Sequence, residues 1–280
     1  MIVDTHTHFY DPSRPQGVPW PSSNDDVLYR TTLPEHYREL AVPMGVSGTV
    51  VVEASAWLED NQWVLDLAAD DPFIVGLVGH IDPGTAEFVH YVDRFASHPL
   101  FYGIRLGGGY FDDIEQGRFL ADMEHLVSRD LELDVLIGVE ALGGMCKLAG
   151  RLPELRIVIN HIASVRIDGQ VPDPHWVENM QKAAEHPQVY CKVSGLVEVS
   201  QVRPAPDEVG FYTPVLDVLW QAFGKDRLMY GSNWPVSSRF APYDQIQRIV
   251  TAYFAEKGEE ATENYFWKNS KSAYKWVERS

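Results

Sequence analysis

Long apolar runs, cysteine and positive charge are all scarce in this sequence. No apolar stretch reaches the roughly 18 residues that a membrane span needs, so contact with a membrane is not expected. The chain opens on Met1-Ile2-Val3-Asp4 without the charged and apolar segments of a secretory leader, and a cytoplasmic protein is expected. Its two cysteines, Cys146 and Cys191, lie far apart and in no metal-ligand spacing, and read as reduced core or near-core thiols. Lys and Arg number 23 against 40 Asp and Glu, a formal charge of −17. Such a surface repels phosphates, which argues against nucleic acid as a partner. Also missing are a G-x-G-x-x-G phosphate loop and a G-x-S-x-G nucleophile elbow. Gly107-Gly108-Gly109 has neither form and reads as a flexible loop.

What is present is periodic. Short β-branched runs recur at Ile2 to Asp4, Gly48 to Glu53, Phe73 to Val78, Phe101 to Leu106, Leu133 to Gly138, Arg156 to Asn160, Val189 to Val193 and Arg227 to Tyr230. Runs that are apolar on both faces suit buried parallel strands. Helix-length stripes fill the intervals: Trp63, Val64, Leu67 and Ala68; Phe119, Met123, Leu126 and Val127; Val215, Leu216, Val218, Leu219 and Phe223. Eight such units over 280 residues predict one α/β domain, residues 1–280, folded as a distorted (β/α)8 TIM barrel. Long loops are expected after the first, sixth and seventh strands.

Polar residues gather at the predicted strand ends. In Asp4-Thr5-His6-Thr7-His8, residues two apart in an extended chain point the same way, so His6 and His8 face one side together. Paired imidazoles there can bind a zinc-type ion or polarise a carbonyl. His161 follows the sixth run directly, where a polar residue in this fold reads as catalytic. Asn233 and Trp234 follow the eighth run in a sharp turn and are expected at the rim. Arg105 ends the fourth run, where its planar fork can clamp a substrate; His80 ends the third. Trp20, Trp57, Tyr10 and Trp234 offer ring-stacking walls. Glu140 and Lys192, near the ends of the fifth and seventh runs, are either catalytic or interior partners. His36, His90, His98, His125, His175 and His186 fall in or beside helices and receive no chemistry.

Taken together, Val3-Asp4-Thr5-His6-Thr7-His8-Phe9-Tyr10-Asp11-Pro12, Val158-Ile159-Asn160-His161, Lys192-Val193-Ser194-Gly195-Leu196 and Arg227-Leu228-Met229-Tyr230-Gly231-Ser232-Asn233-Trp234-Pro235 resemble the amidohydrolase-2 family. Within it the likeness is to the sugar-lactone and 2-pyrone-4,6-dicarboxylate lactonases, in collinear order from residue 1 to about residue 240. The resemblance implies a TIM-barrel hydrolase that opens a cyclic ester with water. His6 and His8 match the first-strand pair, His161 the sixth-strand histidine and Asn233 the last-strand aspartate. An amide at 233 is a departure, because it has no anionic form and is no general base. Glu53, at the end of the second strand where the related lactonases carry glutamine, either replaces that carboxylate, as metal ligand or base, or pairs with Arg105.

The expected catalytic set is therefore His6, His8, Glu53, His161 and Asn233, with Arg105, His80, Trp20, Trp57, Tyr10 and Trp234 around the substrate. One divalent ion, zinc first, would sit on His6, His8, His161 and Glu53; activity without a metal is weighted equally. The expected partner is a small lactone or carboxylic acid, and a homo-oligomer is left open. Two other readings stand beside lactone hydrolysis. One is non-oxidative decarboxylation within the same superfamily. The other is a barrel that binds its ligand without turning it over, as Asn233 invites.

Overall fold

A computed structural model describes residues 1–279. Eight strands form one parallel sheet in sequence order: β1 (Ile2–Thr7), β2 (Val46–Val52), β3 (Ile74–Gly79), β4 (Phe101–Gly107), β5 (Glu132–Leu136), β6 (Ile157–Ile159), β7 (Val189–Val193) and β8 (Leu228–Tyr230). Helices cross between them, among them Pro34–Ala41, Leu58–Asp70, Leu142–Arg151, Pro174–Ala184 and Val209–Phe223. All eight predicted runs are strands of this (β/α)8 barrel, with shifted bounds. Of Gly107-Gly108-Gly109, expected as a flexible loop, Gly107 ends β4 and the other two open a short 3₁₀ turn, Gly108–Phe111.

Alternation along each strand divides two apolar regions. Outward residues such as Val51, Leu77, Ile104, Leu133, Ile157 and Cys191 pack under the helices. Inward residues Val3, Val50, Val52, Val78, Val158 and Met229 fill the barrel, with Tyr274 and Trp276 of the C-terminal segment among them. Arg279 fastens that segment, donating through Nη1 to the carbonyls of Ala68, Asp71 and Ile74 at 2.7, 3.0 and 2.7 Å. Among the described residues, no helix is long and apolar enough to cross a membrane.

The ring closes between β8 and β1 by a seam of individual contacts. Thr7 and Trp234 share one isolated parallel bridge, the His8 amide donates to the Trp234 carbonyl at 2.9 Å, and Thr5 Oγ1 donates to the Tyr230 carbonyl at 2.5 Å. At the centre is Asp4, fully buried. Its Oδ1 accepts the amide hydrogens of His6 at 3.0 Å and Ser232 at 2.9 Å, and its Oδ2 accepts the Tyr37 hydroxyl. One carboxyl thus holds the first residue of the histidine pair against the loop that carries Asn233. Asp4→Ala would leave two buried amides without an acceptor, at about 1–3 kcal/mol each. Its urea unfolding midpoint is expected well below that of the wild type; an unchanged midpoint would contradict this role.

Candidate active site

Strand ends on the C-terminal side of the barrel lift a polar ring above the apolar interior. His6 lies within β1 and His8 just beyond it, their ring centroids 5.0 Å apart and nearly perpendicular at 82°. His161 approaches from across the ring, 4.3 Å from His6. The three histidines singled out by their strand-end positions therefore meet at one place.

His161 gets there through unusual backbone. His161, Ile162, Ala163 and Ser164 all have left-handed φ, 50°, 52°, 53° and 55°, which costs L-residues roughly 1–2 kcal/mol each. Tertiary contacts hold the turn. Trp176 Nε1 donates to the Ile162 carbonyl at 2.9 Å. Ser194 Oγ lies 2.9 Å from His161 Nδ1. Gly195 leaves the room: a Cβ there would stand 2.9 Å from His161 Cβ. The Ser194-Gly195 pair after β7 is thus a cradle for the His161 ring.

All three imidazoles are held neutral. Burial is the largest cause in each case. It acts with the Arg105 charge to bring His8 down to about 3. His6 is lowered by burial and then by His161 and Lys192, and His161 by burial and then by Arg105 and Lys192. Hydrogen-bond partners decide where the ring hydrogens sit. His8 Nδ1 is 2.9 Å from the Val52 carbonyl oxygen, an acceptor only, so Nδ1 carries the hydrogen and Nε2 keeps a lone pair. That Nε2 faces Asn233 Oδ1 at 3.3 Å. Behind it, Asn233 Nδ2 donates to Glu198 Oε1 at 2.8 Å. The carboxylate absent at 233 stands one residue further from His8, at Glu198, and burial pushes its carboxyl up to about 7 against the opposing Asn233 hydrogen bond.

Glu198 is a residue of this site that the sequence does not mark. It lies on the short helix Leu196–Val199, and nothing in Leu196-Val197-Glu198-Val199 marks it. Glu53 pairs with Arg105: Arg105 Nε donates to Glu53 Oε1 at 2.8 Å and Nη2 to the Glu53 carbonyl at 2.9 Å. His80 Nε2 lies 3.0 Å from Asp82 Oδ1, with its backbone held on both sides by Asn61. Trp20 sets its edge against the His8 ring at 5.9 Å and rests on Tyr10 at 5.3 Å. Tyr10 is buried and donates its hydroxyl to the Leu28 carbonyl, so it braces the loop. Trp57 is 40 % exposed. Trp234 is a correction: it is 2 % exposed and packs between Phe9 and Tyr37, away from the rim. The left-handed Asn233, φ 57°, turns the chain so that the amide faces His8 and the indole faces the helix layer. Glu140 is exposed and Lys192 is sealed inside the barrel, which makes Lys192 the interior partner.

These donors fit a divalent ion poorly. The residue at 233 is an amide, and Glu53 is committed to Arg105. The positive charges of Arg105 and Lys192 lie close enough to depress the imidazoles, with burial lowering the Lys192 ammonium and Asp134 opposing it. His6, His8 and His161 meet, but among the described residues no group of three His, Cys, Asp or Glu side chains is arranged to hold a metal ion. Among the three histidines, His6 Nε2 is buried and has no hydrogen-bond partner.

Known proteins share this architecture. A family model described as "Amidohydrolase" matches residues 3–276. An L-fucono-1,5-lactonase of Burkholderia ambifaria is 32% identical over 241 residues, covering 84% of this chain and 80% of that protein. A second, from Burkholderia multivorans, is 25% identical over 285 residues, covering 95% and 93%. Among solved structures, a Burkholderia multivorans amidohydrolase with bound zinc superposes with a TM-score of 0.85 at 24% identity, over 99% of this chain and 100% of that one. At that identity the likeness speaks for the fold alone.

The Glu198 charge has a stability consequence. A carboxyl raised in the folded state, from 4.5 to about 7, destabilises the fold increasingly as pH rises between those values, fully above them and not at all below. Glu198→Gln keeps the acceptor for Asn233 and removes the charge. The variant is expected to melt several degrees above wild type near pH 8.5 and level with it near pH 4. Equal melting temperatures at both would show that no buried charge is present.

Proposed function

Because the chain belongs to the amidohydrolase family, we propose that it is a lactonase that adds water across the ring ester of an uncharged sugar lactone. The observation that carries the substrate class is the Glu53–Arg105 pair. Arg105 is the one permanent cation at the strand ends, and its charge is already met by Glu53 at 2.8 Å. A dicarboxylate would need unpaired cations to replace its hydration; the hydroxyls and ring oxygen of a sugar lactone need hydrogen-bond partners of both kinds, which Glu53, Arg105 and His80 supply. The two related L-fucono-1,5-lactonases support the same class.

The chemistry follows from the hydrogen positions. The lactone carbonyl oxygen takes the place left by the missing partner of His6 Nε2, beside His161. Water attacks the carbonyl carbon and passes a proton to the lone pair of His8 Nε2. The new N–H of His8 points at Asn233 Oδ1, 3.3 Å away, an acceptor held in that orientation by Glu198. As the tetrahedral intermediate collapses, the ring C–O bond breaks and His8 returns the proton to the departing alkoxide, giving the open hydroxy acid. A base held at about 3 removes little of the barrier alone. Polarisation of the carbonyl by fixed donors carries the larger share. The protein's own side chains supply every step, consistent with the poor fit of the site to a divalent ion.

The test is acid release, followed with a pH indicator, from a panel of aldono-1,5-lactones and 2-pyrone-4,6-dicarboxylate. Neutral sugar lactones are expected to be opened and the dicarboxylate not, and His8→Ala is expected to lower kcat by at least about 100-fold. Turnover of the dicarboxylate alone would overturn the substrate class. Thermal stabilisation by one lactone with acid release from none would replace the enzyme reading with that of a binding protein.

A further inference from the structure

We infer that Lys192, sealed beneath the pocket, fixes the tautomer of His6 so that the hydrogen sits on Nε2 and faces the substrate as a donor. Lys192 projects inward from β7 and has no exposed surface. Its Nζ lies 2.5 Å from Asp134 Oδ2 and 3.4 Å from His6 Nδ1. An ammonium has three donors and no acceptor. Whatever faces it must present a lone pair, so His6 Nδ1 is the bare nitrogen. A neutral imidazole carries one ring hydrogen, which is left to Nε2, the buried atom without a partner.

Asp134 keeps the ammonium in place. Its second oxygen accepts the Tyr274 hydroxyl at 2.8 Å, and the Tyr274 ring lies 5.3 Å from Lys192 Nζ. Glu132, also buried, has no partner for either carboxyl oxygen; burial and the nearby Asp134 push its carboxyl up, which leaves Asp134 and Lys192 as one balanced charge pair. A hydrogen-bonded line thus runs from Tyr274, in the C-terminal helix, through Asp134 and Lys192 to the ring that meets the carbonyl. A buried ion pair of this kind contributes little net stability over an apolar replacement. Its effect here is directional: with Nε2–H outward, His6 donates to the carbonyl oxygen and to the oxyanion that follows. The same hydrogen withdraws His6 Nε2 from metal ligation and leaves His8 and His161 as the imidazoles with available lone pairs. Lys192 and Asp134 are positioning residues; neither touches substrate.

Long-range proton–nitrogen correlation spectra of protein labelled with ¹⁵N histidine read the tautomer directly, with His6 assigned by its loss in His6→Gln. The wild type is expected to show the hydrogen on Nε2. A spectrum with the hydrogen on Nδ1 overturns the inference, and this measurement needs no variant of Lys192 to fold. In the paired replacement D134L/K192M, which removes both charges together, His6 is expected to lose that preference and kcat to fall at least about 30-fold, with KM within about threefold, as for loss of an oriented oxyanion donor. An unchanged His6 spectrum in a folded D134L/K192M protein also overturns it. The spectra contain no substrate, so a wrong substrate class leaves this test standing.

Discussion

The mouth of this barrel depends on how β1 is fastened to β8. Neighbouring strands share ladders, whereas β1 meets the segment after β8 in one isolated bridge, Thr7 to Trp234, and Asp4 supplies the missing order by accepting amides from both sides. Because His6 and His8 follow Asp4 by two and four residues, and Ser232 precedes Asn233, the same carboxyl sets the distance between the imidazole pair and the amide opposite. The tyrosines 37, 230 and 243, which surround it, close that junction to water. The geometry of the histidine site and the closure of the barrel are one constraint here.

A second constraint is charge. Two cations stand by three imidazoles in a buried space, and each is matched: Arg105 by Glu53, Lys192 by Asp134. What remains is an uncharged pocket whose polarity comes from oriented dipoles and N–H groups, a low-dielectric setting in which fixed donors act strongly on a developing oxyanion. Glu198 extends the pattern. Where the family resemblance implies an aspartate, Asn233 stands with a carboxylate behind it, and Glu198 orients the amide oxygen that faces His8.

Much of this was legible in the residues. Eight apolar runs marked eight strands because a parallel barrel buries both faces of each, and strand-end position was enough to single out His6, His8, His161 and Arg105. The limits were equally physical. β1 runs on to Thr7 because polar side chains at its end are buried among the site residues, where an apolar pattern cannot register them. β6 stops at Ile159, since the left-handed turn over His161 to Ser164 is held by Trp176 and Gly195 from other elements and by no local glycine. Trp234 was misplaced for the same reason, a positive φ at a non-glycine residue. Glu198, Asp134 and Lys192 acquire their roles across 35, 58 and 186 residues of chain, separations at which spacing carries no information.

In the proposed reaction the pocket polarises and hydrolyses its ester with protein donors, each oriented by a buried partner, and without a bound ion. That reaction is tested most directly by measuring lactone turnover against bound metal in one preparation, before and after exhaustive chelation and after adding back zinc or manganese. Under metal-free hydrolysis kcat stays the same while metal content falls far below one ion per chain. A rate that falls with metal content and returns with the added ion would contradict it.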